Sequence, residues 1–236
     1  MPAPVTTTQI TAIRDVAPEV QEFTLAPAEP VAFQPGQWIS LQLPVGERPP
    51  LVRAYSFAAP HSASGEIVLC LDRVPGGLGS KYLFGLGPGD EVTCGAVLGS
   101  FVLPDGPTDM LWMARFTGIV PFRAMLLSLR ERREPPTKRI TLLYSGASPD
   151  ALPYLNELQQ AAAALSWFEL IATVDAPSPE WVGEARAALD LLPELVGERK
   201  DMVPMVCGTR EFVRPIRDYF YELGFERRDV KWENYD

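Results

Sequence analysis

Histidine is nearly absent from this chain. In 236 residues there is one, His61, alongside three cysteines, Cys70, Cys94 and Cys207. A Ser–His catalytic pair would have to use His61, which sits in the loop-like stretch PHSASG and reads as structural. The cysteines are odd in number, far apart and without C-x-x-C spacing. That argues against a disulfide framework, a zinc site or an iron–sulfur cluster held by this chain alone, so no metal is expected. Cys70 and Cys94 lie inside apolar strand-like runs and read as small buried residues. Cations are also scarce. Lys and Arg number 21 against 30 Asp and Glu, a net charge of −9, and nucleic acid needs clustered cations to displace its counterions. The one basic cluster, Arg130 to Arg139, is broken by Glu131 and Glu134; it is either a solvated helix end or a local patch for an acidic partner. No apolar run reaches the roughly 18 residues of a membrane span. The opening MPAPVTTTQITAI lacks the basic and apolar parts of a secretory signal, so a cytoplasmic location is expected.

What is present is an ordinary globular composition, 47% hydrophobic and 22% charged, which excludes a disordered chain. The first hundred residues read as short strands punctuated by Pro and Gly, among them QWISLQL (37–43), LVRAYSF (51–57), EIVLCLD (66–72) and DEVTCGAV (90–97). Such a pattern predicts a small antiparallel barrel or sandwich, with one short helix near 80–86. VLPDGPTD (102–109) reads as a linker. Beyond it, apolar runs alternate with helical patterns: MLWMA, ITLLYS, FELIATV and MVPMVCG are each followed by an amphipathic segment, and VKW closes the chain. Strand–helix alternation predicts a parallel sheet covered on both faces. Two domains are expected, 1–104 and 105–236. Open parallel sheets take ligands at the carboxyl ends of their strands. If the strands ending in ARFTG and CGT are neighbours, Thr117, Gly118, Cys207 and Gly208 share one rim.

Several stretches carry chemistry. RAYSF (53–57) offers a cation, an aromatic plate and a hydroxyl; on a strand, Arg53 and Tyr55 share one face and Ser56 takes the other. It is either a phosphate clamp with a stacking ring or an exposed barrel face. PGGLGSKYL (75–83) places glycines before Ser80, read as a helix cap: a close-approach loop or a plain hairpin turn. ARFTGIVPF (114–122) is a strand, a turn and a helix opened by Pro121, the arrangement that seats phosphates at a helix N-terminus.

The order FQPGQW (33–38), RAYS (53–56), GLGS (77–80), TGIVPFRAML (117–126), VCG (206–208) and a terminal ENYD resembles the ferredoxin–NADP reductase family of flavoproteins over nearly the whole chain. The resemblance implies an N-terminal antiparallel β-barrel that holds FAD and a C-terminal α/β domain that holds NAD(P)H. It also implies hydride transfer between NAD(P)H and FAD, with single electrons passed to a separate ferredoxin, flavodoxin or oxygenase component. Arg53 would pair with the FAD diphosphate, Tyr55 would pack on the isoalloxazine and Ser56 would hydrogen-bond near flavin N5. The backbone of Gly77, Leu78 and Gly79, with Ser80, would cradle the diphosphate. Tyr235 would cover the other ring face, and Cys207 and Glu233 would line the nicotinamide position.

The family pattern near 116–121 is close to G-T-G-I-x-P. Here Thr117, Gly118, Ile119 and Pro121 are kept, but Phe116 stands for the first glycine and Arg115 for another small residue. Either Arg115 adds a cation for the nucleotide diphosphate, or Phe116 fills the space the nucleotide needs. The second outcome would make the chain an FAD-binding electron-transfer or interaction subunit without NAD(P)H turnover. Asp175 in TVDAP favours NADH, because a carboxylate repels a 2′-phosphate; Arg210 and Arg214 pull the other way.

Overall fold

The computed structural model describes residues 6–46, 49–106, 108–132 and 138–235. Two compact units emerge. The first comprises residues 1–103 with 120–131, the second residues 104–119 with 132–236.

The first unit is built on β1 (Thr6–Ala17), β2 (Val20–Ala26), β3 (Trp38–Leu43), β4 (Leu51–Ser56), β5 (Ile67–Asp72) and β6 (Glu91–Leu98), with the short helix α1 (Leu78–Leu83). The strands form one antiparallel sheet in the order β4-β3-β6-β1-β2-β5. A bridge between Phe57 and Leu69 brings its two edges toward each other, the barrel closure the sequence suggests. Alternation sets the inside: Phe23, Leu25, Ile39, Leu41, Leu43, Leu69 and Leu71 are all fully buried. The long β1–β2 hairpin turns at Pro18–Glu19, where Glu19 takes φ +58°. Helix α2 (Ile119–Arg130) packs largely within this unit. Its Arg123 donates to the Ala58 carbonyl (2.6 Å) and meets the buried Glu22 carboxylate, which Arg14 also holds.

The second unit contains β7 (Asp109–Arg115), β8 (Ile140–Gly146), β9 (Phe168–Val174), β10 (Met202–Gly208) and β11 (Lys231–Asn234), all parallel, in the order β11-β10-β7-β8-β9. Helices α3 (Leu155–Ala164), α4 (Ala188–Val196) and α5 (Arg210–Glu222) follow β8, β9 and β10. Strand β7 is central, and Met110 to Ala114 are buried throughout, as a strand covered on both faces requires. Within the basic cluster, Arg133 and Glu134 lie outside the described residues. Lys138 departs from the solvated reading: it is buried, its Nζ donates to the Pro104 carbonyl (2.9 Å), and burial pulls its pKa down. Among the described residues, no helix is long and apolar enough to cross a membrane.

Candidate functional site

In the first unit the candidate residues gather where α1 meets β4. Leu51, Arg53 and Tyr55 share one strand face, and Gly79 lies against it: a Cβ at Gly79 would stand 3.0 Å from Leu43, 3.3 Å from Leu51 and 3.5 Å from the Arg53 side chain. The 77–80 backbone therefore rests on the root of Arg53. The Arg53 guanidinium is exposed and donates to the Val52 carbonyl beside it (2.8 Å); among the described residues it has no carboxylate partner. The amides of Leu78, Gly79 and Ser80 precede the first bond of α1, from Lys81 N to the Gly77 carbonyl, and find no backbone acceptor among the described residues, although Gly79 and Ser80 are buried. Leu78 itself is 58% exposed. Ser80 differs from the sequence reading. Gly77 holds the cap position, and Ser80 lies inside the first turn with its Oγ accepting from Val74 N (3.0 Å). Its hydroxyl closes the 74–80 loop; helix capping is not its role. Burial pushes the Tyr55 phenol up to about 12, helped by Asp72 and opposed by Arg53, so the hydroxyl stays protonated. Ser56 is buried. The His61 ring packs tilted against Phe33 (centroids 4.1 Å apart, 35° between planes) with its Nε2 2.8 Å from the Phe33 carbonyl, a structural arrangement.

In the second unit β7 and β10 are parallel neighbours, with Ala114 opposite Cys207. The turn after β7 crosses the end of β10 at backbone contact. A Cβ at Gly118 would sit 2.2 Å from the Cys207 carbonyl oxygen and 2.9 Å from Gly208 Cα. Glycine is therefore required at 118 by the neighbouring strand. Thr117 is buried in the same turn. Strand β11 sets Glu233 opposite Cys207, and the Tyr235 amide donates to the Gly208 carbonyl (3.0 Å). The Cys207 thiol is fully buried, which together with nearby Glu233 drives its pKa well above the ordinary thiol range against a hydrogen bond with Tyr235. It is a neutral S–H group, unsuited to nucleophilic chemistry. Cys207, Gly208, Glu233, Tyr235, Thr117, Gly118 and Arg115 are thus brought to one rim.

The two departures in the loop have distinct fates. Phe116 adopts φ +50°, a conformation natural to glycine, and its side chain is half-buried. Its carbonyl is held 3.1 Å from the Tyr144 hydroxyl, a contact sequence reasoning missed because nothing local marks Tyr144 as special. Arg115 is paired with Asp175, its Nη2 2.5 Å from the carboxylate. Arg214 instead lies 3.8 Å from Asp218 on the exposed face of α5.

Sequence comparison agrees with this architecture. Residues 7–103 match the oxidoreductase FAD-binding domain model and residues 116–218 the oxidoreductase NAD-binding domain model. Ferredoxin–NADP reductase B of Sorangium cellulosum is 31% identical over 97% of this chain and 96% of its own. The chain belongs to the ferredoxin–NADP reductase family. Like that family, it is an oxidoreductase with an FAD-binding and a nicotinamide-nucleotide-binding domain, and it transfers electrons between NAD(P)H and FAD. The toluate 1,2-dioxygenase electron transfer component of Pseudomonas putida is 29% identical over 87% of this chain but only 59% of its own length. In fold, a ferredoxin–NADP+ reductase from Neisseria gonorrhoeae with bound FAD and NADP superposes with a TM-score of 0.81 over 98% of both chains, at 20% identity.

Proposed function

We propose that residues 1–104 hold FAD, that residues 105–236 hold NADH, and that electrons leave to a separate redox protein such as a ferredoxin, a flavodoxin or an oxygenase component. The observation that carries this reading is Arg53: among the described residues, a guanidinium with no carboxylate partner, beside a glycine cradle and three amides with no backbone acceptor. That donor set suits a dinucleotide diphosphate. When bound, FAD supplies the redox chemistry, exchanging electrons in pairs with a nicotinamide and singly with a protein carrier. The chain's own residues bind and orient. Arg53 and the amides of Leu78, Gly79 and Ser80 hold the diphosphate, with Gly77 at the cap position ahead of them. Tyr55 presents a ring face and a protonated hydroxyl, and the Ser56 hydroxyl would donate to the flavin. Cys207, Gly208, Glu233 and Tyr235 form the nicotinamide end, where the neutral thiol positions the ring and does not react with it. Thr117 and Gly118 shape the nucleotide loop, and Asp175 at the end of β9 favours a ribose diol over a 2′-phosphate.

A second reading, an FAD-binding electron-transfer subunit without NAD(P)H turnover, is favoured by Phe116, a bulky residue in a glycine conformation within the nucleotide loop. Anaerobic titration of the yellow protein with NADH and then NADPH separates the two. Bleaching of the flavin absorbance, with NADH the more effective, is expected. A flavin bleached by dithionite but by neither nucleotide would establish the second reading.

A further inference from the structure

We infer that Arg115 and Asp175 form an exchange pair that the incoming nucleotide divides. Arg115 passes from the carboxylate to the nucleotide diphosphate, and Asp175 is released to the hydroxyls of the adenosine ribose. This inference rests on the nucleotide-binding reading above. It gives a ligand-binding role to Arg115, a residue standing where the family pattern has a small one.

The topology places the pair where it can act. Arg115 ends β7 and Asp175 follows β9, with β8 between those two strands. The Asp175 amide donates to the carbonyl of Gly146, the last residue of β8 (3.0 Å). The ion pair therefore bridges the carboxyl end of β8, on the rim where open parallel sheets take ligands. Among the described residues, neither side chain has another charged partner.

Strength decides between a lock and an exchange. The two side chains are 31% and 54% exposed. Ion pairs this accessible shift an equilibrium by no more than about fivefold. Such a pair cannot exclude a ligand that offers better partners to both members. A diphosphate matches the planar guanidinium fork, and a cis-diol donates to a carboxylate. The closed pair also cancels the Asp175 charge in the ligand-free protein, so at this position an approaching diphosphate meets a neutral pair instead of a bare carboxylate.

The test uses redox-silent fragments. FAD-loaded protein is titrated in a calorimeter with ADP-ribose and with its 2′-phosphorylated form. Wild type, Arg115→Ala, Arg115→Gln and Asp175→Asn are compared, each checked first for unchanged flavin content. Both Arg115 variants are expected to weaken ADP-ribose by about tenfold or more, the worth of charge-assisted hydrogen bonds. Asp175→Asn is expected to change ADP-ribose by less than about fivefold. It is also expected to strengthen the 2′-phosphorylated ligand by at least about tenfold, because a repelling charge is removed and Arg115 is released. Unchanged or tighter ADP-ribose binding in both Arg115 variants would overturn the exchange while leaving nucleotide binding intact. A wild type that binds neither fragment would overturn the nucleotide reading and the exchange together.

Discussion

Gly118→Ala isolates what the glycine in the nucleotide loop is for. A loop glycine can be required by a ligand's approach or by the protein's own packing. At 118 the neighbour is the end of β10: an added methyl would lie 2.2 Å from the Cys207 carbonyl oxygen, 2.6 Å from its carbon and 2.9 Å from Gly208 Cα. All three are main-chain atoms of a strand paired on both sides, by β7 and by β11, so the clash cannot be relieved by turning a side chain. Overpacking typically costs about 1–3 kcal/mol, and a rigid obstacle places this case near about 3 kcal/mol. At about 2–4 °C per kcal/mol for a chain of this size, Tm should fall by about 6–12 °C. Gly87→Ala is the matched control. Nothing lies within 4 Å of its added methyl and its φ is not positive, so it should be neutral or raise stability by up to about 1 kcal/mol through the unfolded chain. Differential scanning fluorimetry on both variants, followed by flavin absorbance, reads the contrast. A Gly118→Ala protein melting within about 2 °C of wild type would show that the two backbones do not touch and that 118 is glycine for the ligand alone.

Four further outcomes can be checked. Phe116→Gly relieves a left-handed conformation worth about 1–2 kcal/mol while losing a half-buried ring, so stability should change little and the NADH dissociation constant should fall; an unchanged constant would mean the ring stands clear of the ligand. Glu22→Ala removes the buried carboxylate set between Arg14 and Arg123 and should cost about 3 kcal/mol in urea unfolding, whereas Asp201→Ala, breaking an exposed pair with Arg199, should cost less than about 1 kcal/mol. Arg53→Ala should purify with little or no flavin; full flavin content would remove Arg53 from the diphosphate site. Because the folded Tyr55 phenol titrates at about 12 against an ordinary 10.0, the folded state binds the proton more tightly. Stability should be flat below pH 10 and decline as pH rises toward 12, and Tyr55→Phe should lessen that decline in an alkaline denaturation series.

Local patterns carried much of this protein. The alternating run WISLQL of β3 and the uninterrupted apolar stretch of β7 announce a half-covered strand and a fully covered one, because burial on one face or two leaves its mark on adjacent residues. Strands alternating with amphipathic segments announced the parallel sheet, and neighbouring parallel strands placed Gly118 beside Cys207. Motif order likewise pointed to a flavin-binding barrel followed by a nucleotide domain, which the family models match. Within such stretches the sequence alone determines the outcome, since the physics acts over a few residues. The tertiary structure decided the rest. Ser80 looked like a cap and became a loop closure, because its hydroxyl found Val74 N within reach. Arg115 looked like a free cation and found Asp175, sixty positions away in sequence, through a strand order that no local pattern states. Gly118 showed that it was glycine, but only the passage of β10 showed why. A side chain's partner is set by which distant backbone the fold brings alongside it, and that is a property of the assembled sheet.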